Sequence, residues 1–249
     1  MRSHTPQNLC GTRLNQSQRE KMPTACGLNI TGAVVPFHDT VKLLGVTLDF
    51  SRTMDRHVAG VLSSCKYHMR ALRHIRPLLT HDAAKMIAHS VVSSRLNYTN
   101  ALLYGTTTTN LNKLQVAQNT LASVVCQAPR SVSTTELGRK LHWLPIRQRI
   151  TYKIAVIIYK TRTTGTPAYH SHLIRDYQPE RTLRSADKLL LSVAPMALSL
   201  SAKAFSVSAF SVWNSLSHNS RSAELFSTFK RKLKTDLFDT AYSDCKHSA

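Results

Sequence analysis

The chain has 249 residues, with 33 Lys and Arg against 13 Asp and Glu and a formal charge of +20. Its 42% hydrophobic content is enough to bury a core and excludes a disordered basic tail, while the charge calls for an anionic partner, nucleic acid first. No run is apolar enough for a secretory leader or a bilayer span, and cysteines at 10, 26, 65, 126 and 245 lack any paired zinc spacing, so the expectation is an intracellular protein, nuclear or cytoplasmic, with no membrane partner.

Residues 1–27 are polar and carry Pro6, Gly11, Pro23 and Gly27, the composition of a disordered or truncated end. From Leu28 to about residue 50, short β-branched runs separated by turn residues predict two or three strands. One of these, Val41 to Leu48, has Gly45 at its centre, where a missing side chain predicts a bulge or a close backbone approach.

The pattern turns helical after Asp49. Val58, Val61, Leu62, Cys65, Met69 and Leu72 recur at three and four residues, predicting one apolar face on a helix that ends before Pro77. Lys66, Arg70 and Arg73 fall within about 60° of each other at the helical 100° per residue, beside that face, and Arg76 follows a turn later. There is no acid between Asp55 and Asp82. Such a row is either a solvated helix face or a surface for phosphates.

Thr80 and Asp82 predict the start of a second helix running to about Leu103, and Asn110 the cap of a third, with Leu114, Ala117, Leu121 and Val125 inward. Residues 51–128 thus read as one helical domain, and Pro129 to Thr135 as a linker. The remainder, 129–249, reads as a basic helical extension. Pro145 opens a helix whose buried face is Ile146, Ile150, Ile154, Ile157 and Ile158. Arg149, Lys153 and Lys160 share another face, with Arg147 beside them, and no acid occurs between Glu136 and Asp176. Leu189 to Val193 predicts a strand. A last amphipathic stretch is predicted to bury Leu225, Phe229, Leu233 and Leu237 and to expose Lys230, Arg231, Lys232 and Lys234.

Two-metal nucleotidyl transfer needs converging carboxylates, and the scattered acids include no adjacent Asp-Asp pair. No phosphate loop, nucleophile elbow or zincin motif is present. The expectation is therefore no catalytic residue, no metal ligand, no cofactor and no small-molecule substrate in this chain. Tyr152, Tyr159, Trp143 and Trp213 read as packing residues rather than base-stacking platforms.

In order along the chain, VKLLGVTLD (41–49), HMRALRHIRPLL (68–79), SVVSSRLNYTNALLYG (90–105), KLQVAQNTLASVV (113–125), LHWLPIRQRITYKIAVIIYK (141–160), AFSVSAFSVWNSL (204–216) and FKRKLKT (229–235) resemble the C-terminal part of the reverse transcriptases of non-LTR (LINE-type) retrotransposons. The resemblance covers about 28–242. It implies an α+β, predominantly α-helical chain: a palm-terminal β remnant at 28–50, a thumb-like domain at 51–128 and a basic C-terminal extension. Leu44, Gly45 and Val46 would form a primer-grip-like element. Lys66, Arg70, Arg73, Arg76, Arg147, Arg149, Lys153 and Lys160 would bind nucleic acid, an RNA/DNA duplex held without sequence preference. The catalytic aspartates and their Mg²⁺ belong to upstream parts of the parent RNA-directed DNA polymerase. The segment NYTN at 97–100 departs from relatives, which read Asp first and Cys third, and APMALSL at 194–200 lacks an arginine after its proline. These departures imply a truncated or decayed copy. The alternatives are a helical protein-interaction module or a chain without function.

Overall fold

A computed structural model describes residues 27–30, 33–36, 38–129, 131–178, 189–193 and 204–243. The expectations for 1–26 and for 194–200 lie outside them. The chain divides into two units, Met1–Val41 and Lys42–Ala249. In the first, β1 (Gly27–Ile30) and β2 (Ala33–Pro36) pair antiparallel, Gly27 opposite Pro36 and Ile30 opposite Ala33.

A second two-stranded sheet joins β3 (Thr40–Leu43) and β4 (Val46–Asp49). The continuous strand expected over 41–48 is therefore a hairpin, and Gly45 is not a bulge. Leu44 and Gly45 have φ of 47° and 79°, the positive pair that a two-residue hairpin turn of the primed type requires. Val46 is buried and roots the hairpin, while Leu44 is 82% exposed at its tip.

After β4 the chain turns on Asp49, whose carboxylate accepts from the Thr53 amide at 2.7 Å and from the Thr53 hydroxyl. Helix α1 (Asp55–Ile75) follows and buries His57, Val58, Cys65, Met69 and Leu72. Those apolar side chains each contribute about 1.5–3 kcal/mol by leaving water. Pro77 sits in a 3₁₀ turn, Arg76–Leu78, that ends the helix.

The second helix expected to reach Leu103 is interrupted. Thr80 caps α2 (His81–Ile87), a π-helical segment follows at Ala88–Ser93, and α3 (Ser94–Asn97) ends the run. Thr99, at φ 49°, breaks the helical backbone, and Asn100–Leu103 is a separate 3₁₀ turn. Helix α4 (Thr108–Cys126) is capped by the Thr107 hydroxyl rather than by Asn110. Asn110 lies inside, 1% exposed, and its amide donates to Asp55 Oδ1 at 2.7 Å, tying the start of α4 to the start of α1. Helix α5 (Thr134–Lys140) occupies part of the expected linker.

Helix α6 (Ile146–Thr164) starts at Pro145 and buries Ile146, Ile150, Ile154, Ala155, Ile158 and Tyr159. After α7 (Ala168–Ser171), the strand expected at 189–193 is reduced to one antiparallel bridge between Leu191 and Asp176. The Asn214 side chain both donates to and accepts from the Leu191 backbone at 2.8 Å, in place of a neighbouring strand. Asn214 belongs to α8 (Phe205–Ser215), which α9 (His218–Arg221) and α10 (Phe226–Ser243) follow. Because α10 begins at Phe226, Leu225 stays outside it and is 67% exposed, against the expectation; Phe229 and Leu233 are buried as expected.

Helices α6 and α10 run antiparallel. Tyr159 stacks on Phe229 at 4.2 Å near one end of the pair, and at the other the Tyr242 hydroxyl donates to the Trp143 carbonyl at 2.7 Å. The described residues are predominantly helical. One apolar core runs from Val46 to Leu233, so the expected boundary at 128/129 falls inside it.

Candidate nucleic-acid interface

Lys66, Arg70 and Arg73 lie along one side of α1, and all three are exposed. None of them pairs with a carboxylate among the described residues, whereas Arg162 does, with Asp176 at 2.7 Å. The adjoining face of α1 packs in the core, so the row is held by a fixed helix.

Arg76 does not belong to this row. It is 7% exposed, its Nε and Nη2 donate to the Val125 carbonyl at 2.9 and 2.7 Å, and its Nη1 donates to the Leu79 carbonyl at 2.8 Å. A helix C-terminus leaves carbonyls unpaired and attracts cations, and this guanidinium closes the end of α4. Its donors are spent on the fold, which removes it from the expected set. Arg73, Arg76 and Pro77 line a cleft of about 360 Å³ against Ser123, Val124, Gln127 and Ala128. Beside it, burial pushes the Cys126 thiol up while Lys140, Arg76 and Lys85 pull it down, which shows these cations gathered at the end of α4.

Arg149 is the second correction. Its Nε donates to the Leu144 carbonyl at 2.7 Å and its Nη1 to Asn97 Oδ1 at 3.2 Å, and burial pulls the guanidinium down to about 10. It braces the start of α6 from inside. Arg147, Lys153 and Lys160 of the same helix are exposed. Lys160 Nζ lies 5.2 Å from the centroid of Phe226, and Lys230 Nζ lies 4.7 Å from the same centroid.

At the hairpin, the Tyr98 hydroxyl donates to the Leu44 carbonyl at 2.7 Å, and a Cβ on Gly45 would come 3.4 Å from Tyr98 Cε1. Tyr98 thus holds the tip formed by Leu44 and Gly45. The segment NYTN connects both regions: Asn97 receives Arg149 and Tyr98 clasps the hairpin. The sequence carried no sign of that linkage, because the partners lie 52 and 54 residues apart.

Asp49 is engaged by Thr53, Asp55 by Asn110, Asp176 by Arg162 and Asp236 by Ser217 and Ser220, and among the described residues no group of three or more His, Cys, Asp or Glu could hold an ion. Cys65 is buried, and that burial pushes its thiol up to about 11 against the pull of Arg95, so it is a packing residue rather than a nucleophile. Among the described residues no helix is long and apolar enough to cross a membrane.

The described residues therefore define a mostly helical chain that presents rows of unpaired cations on buried helices. No family model matches the chain, and no solved structure matches it. Over 165 residues it is 24% identical to the probable RNA-directed DNA polymerase from transposon BS of Drosophila melanogaster. That stretch is 65% of this chain and 18% of the relative, so the match spans less than a fifth of the relative's length. The chain is distantly homologous to a transposon RNA-directed DNA polymerase.

Proposed function

We propose that the chain is the duplex-holding part of a non-LTR retrotransposon reverse transcriptase, with α1 to α4 as its thumb. It grips template and primer through their phosphates and leaves the bases unread. The observation that carries this reading is the row Lys66, Arg70 and Arg73: exposed, unpaired, and fixed on a helix whose other face is core. In this reading the tip Leu44–Gly45, anchored by Val46 and clasped by Tyr98, takes the primer-grip place. Arg147, Lys153 and Lys160 add contacts from α6.

Six cations of the expected set remain once Arg76 and Arg149 are assigned to the fold. If each neutralises one phosphate, log affinity for duplex falls against log salt with a slope of about −5. Replacing Lys66, Arg70 and Arg73 together by Gln flattens that slope by up to about 3 and leaves stability almost unchanged, since exposed charges contribute little to folding. A salt titration of binding to primed template and to random duplex measures both. A triple variant with the wild-type slope would reduce the row to a solvated helix face.

A further inference from the structure

We infer that Lys160 and Lys230, drawn over the single ring of Phe226, form a second site for backbone phosphates, extended along the α6–α10 seam by Lys153 and Lys234. The inference rests on the nucleic-acid reading above and adds to it a surface built from two helices that are far apart in sequence.

The geometry begins with the ring. Phe226 is half-buried and lies 5.8 Å from Tyr159, which itself stacks on Phe229, so the ring is seated on a fixed aromatic cluster. The negative face of a phenyl ring attracts ammonium groups. With the two Nζ atoms 5.2 and 4.7 Å from its centroid, they stand within about 10 Å of each other, no more than a Debye length at ordinary ionic strength. Two cations held at that separation repel each other unless an anion lies between them. A phosphate drawn to that place is attracted by both charges.

Of the neighbouring acids, Glu224 stands two residues before Phe226, exposed and near enough to raise the Tyr159 hydroxyl, and it pairs with neither Lys160 nor Lys230. Asp236 accepts from Ser217 at 2.5 Å and from Ser220 at 2.7 Å. Asp239 lies about half a turn round α10 from Lys230, on its opposite side. No carboxylate pairs with Lys153, Lys160, Lys230 or Lys234 among the described residues, and all four are exposed. Lys232 shows what a structural lysine looks like on the same helix, for its Nζ donates to Asn219 Oδ1 at 2.6 Å and to the Asn219 carbonyl at 3.2 Å.

The helices also supply a track. Lys153 and Lys160 are seven residues apart, two turns on one face of α6, and Lys230 and Lys234 are four apart, one turn on one face of α10. Because α6 and α10 are antiparallel, both rows lead away from Phe226 towards the same end of the seam. A strand crossing there meets cations from both sides.

The test uses the full chain, with tripolyphosphate as a small phosphate probe and primed duplex as the polymer. Calorimetric titration of wild type, K160Q/K230Q and K66Q/R70Q/R73Q is combined with salt titrations of duplex binding. K160Q/K230Q is expected to lose tripolyphosphate affinity by about tenfold and to flatten the duplex slope by up to about 2, whereas the α1 triple variant keeps most of its tripolyphosphate binding. F226L, which keeps both charges and removes the ring that gathers them, is expected to weaken tripolyphosphate binding several-fold with an unchanged helical circular-dichroism signal. Wild-type tripolyphosphate affinity in K160Q/K230Q overturns the site. Tripolyphosphate bound through the seam without any duplex binding leaves the site standing and overturns the nucleic-acid reading; no binding of either overturns both.

Discussion

Arg149 shows how one atom's surroundings decide what a charge is for. Its guanidinium is pulled down by burial, and Asn97 supplies it with a neutral oxygen at 3.2 Å. Asn97→Asp places a carboxylate there and converts an ordinary hydrogen bond into a charge-assisted one. The expected gain is about 1 kcal/mol, which for a domain of this size raises the thermal midpoint by roughly 2–4 °C. In an Arg149→Met background the same change is expected to give no gain, and thermal melts of the four proteins check the coupling. The family resemblance expects an Asp at this place, so the variant also tests what that position is for. Arg149 and Arg76 are the residues that a sequence reading misassigns, for a physical reason. A helical wheel gives the angle of a side chain about its own axis, and angle alone does not show that the end of α4 needs a donor at Val125 or that Asn97 waits above α6. Lys66, Arg70 and Arg73 were legible because exposure follows from that angle once the apolar face is known.

Helices were legible wherever an apolar period ran long, as in α1, α4 and α6, and illegible where a tertiary contact set the boundary. The six-residue π segment at Ala88–Ser93 and the 3₁₀ turn after Thr99 carry no break in composition, and a periodic pattern runs straight through them. The residues alone read 41–48 as one strand, because Leu-Gly is not one of the common turn pairs and Leu44 accepts a positive φ there, whereas the resemblance implied a strand pair. Contact between α5 and α10 gives an element-scale prediction. Gly138 is buried, and a Cβ added to it would stand 2.6 Å from the Tyr242 hydroxyl, which is itself bonded to the Trp143 carbonyl. Gly138→Ala is expected to cost about 1–3 kcal/mol by forcing Tyr242 out of place. Removing the hydroxyl with Tyr242→Phe leaves ring carbon at 3.6 Å as the nearest atom, so the Ala costs less in that background. Urea unfolding of the two single variants and the double variant measures the difference, and equal costs in both backgrounds would mean the two residues do not compete for the same space.

At the scale of the whole molecule, a formal charge of +20 makes self-repulsion a standing cost of compactness. Raising NaCl from about 0.05 to about 0.5 M shortens the Debye length roughly threefold and is expected to raise the thermal midpoint by a few degrees. On the proposed function, a duplex at low salt is expected to raise it further by binding the folded chain alone, and a midpoint that falls with salt would show that attractive pairs outweigh the repulsion. The bond from Tyr242 to Trp143 spans 99 residues of chain. Protein synthesis proceeds at about 5–20 residues per second, so roughly 5–20 s pass between the two residues leaving the peptidyl-transferase centre. For that interval α6 exists without the helix that covers it, and Ile154, Ile158 and Tyr159 have no Phe229 or Leu233 to meet. The moment at which this core closes is set by the pace of the ribosome rather than by the diffusion of its helices.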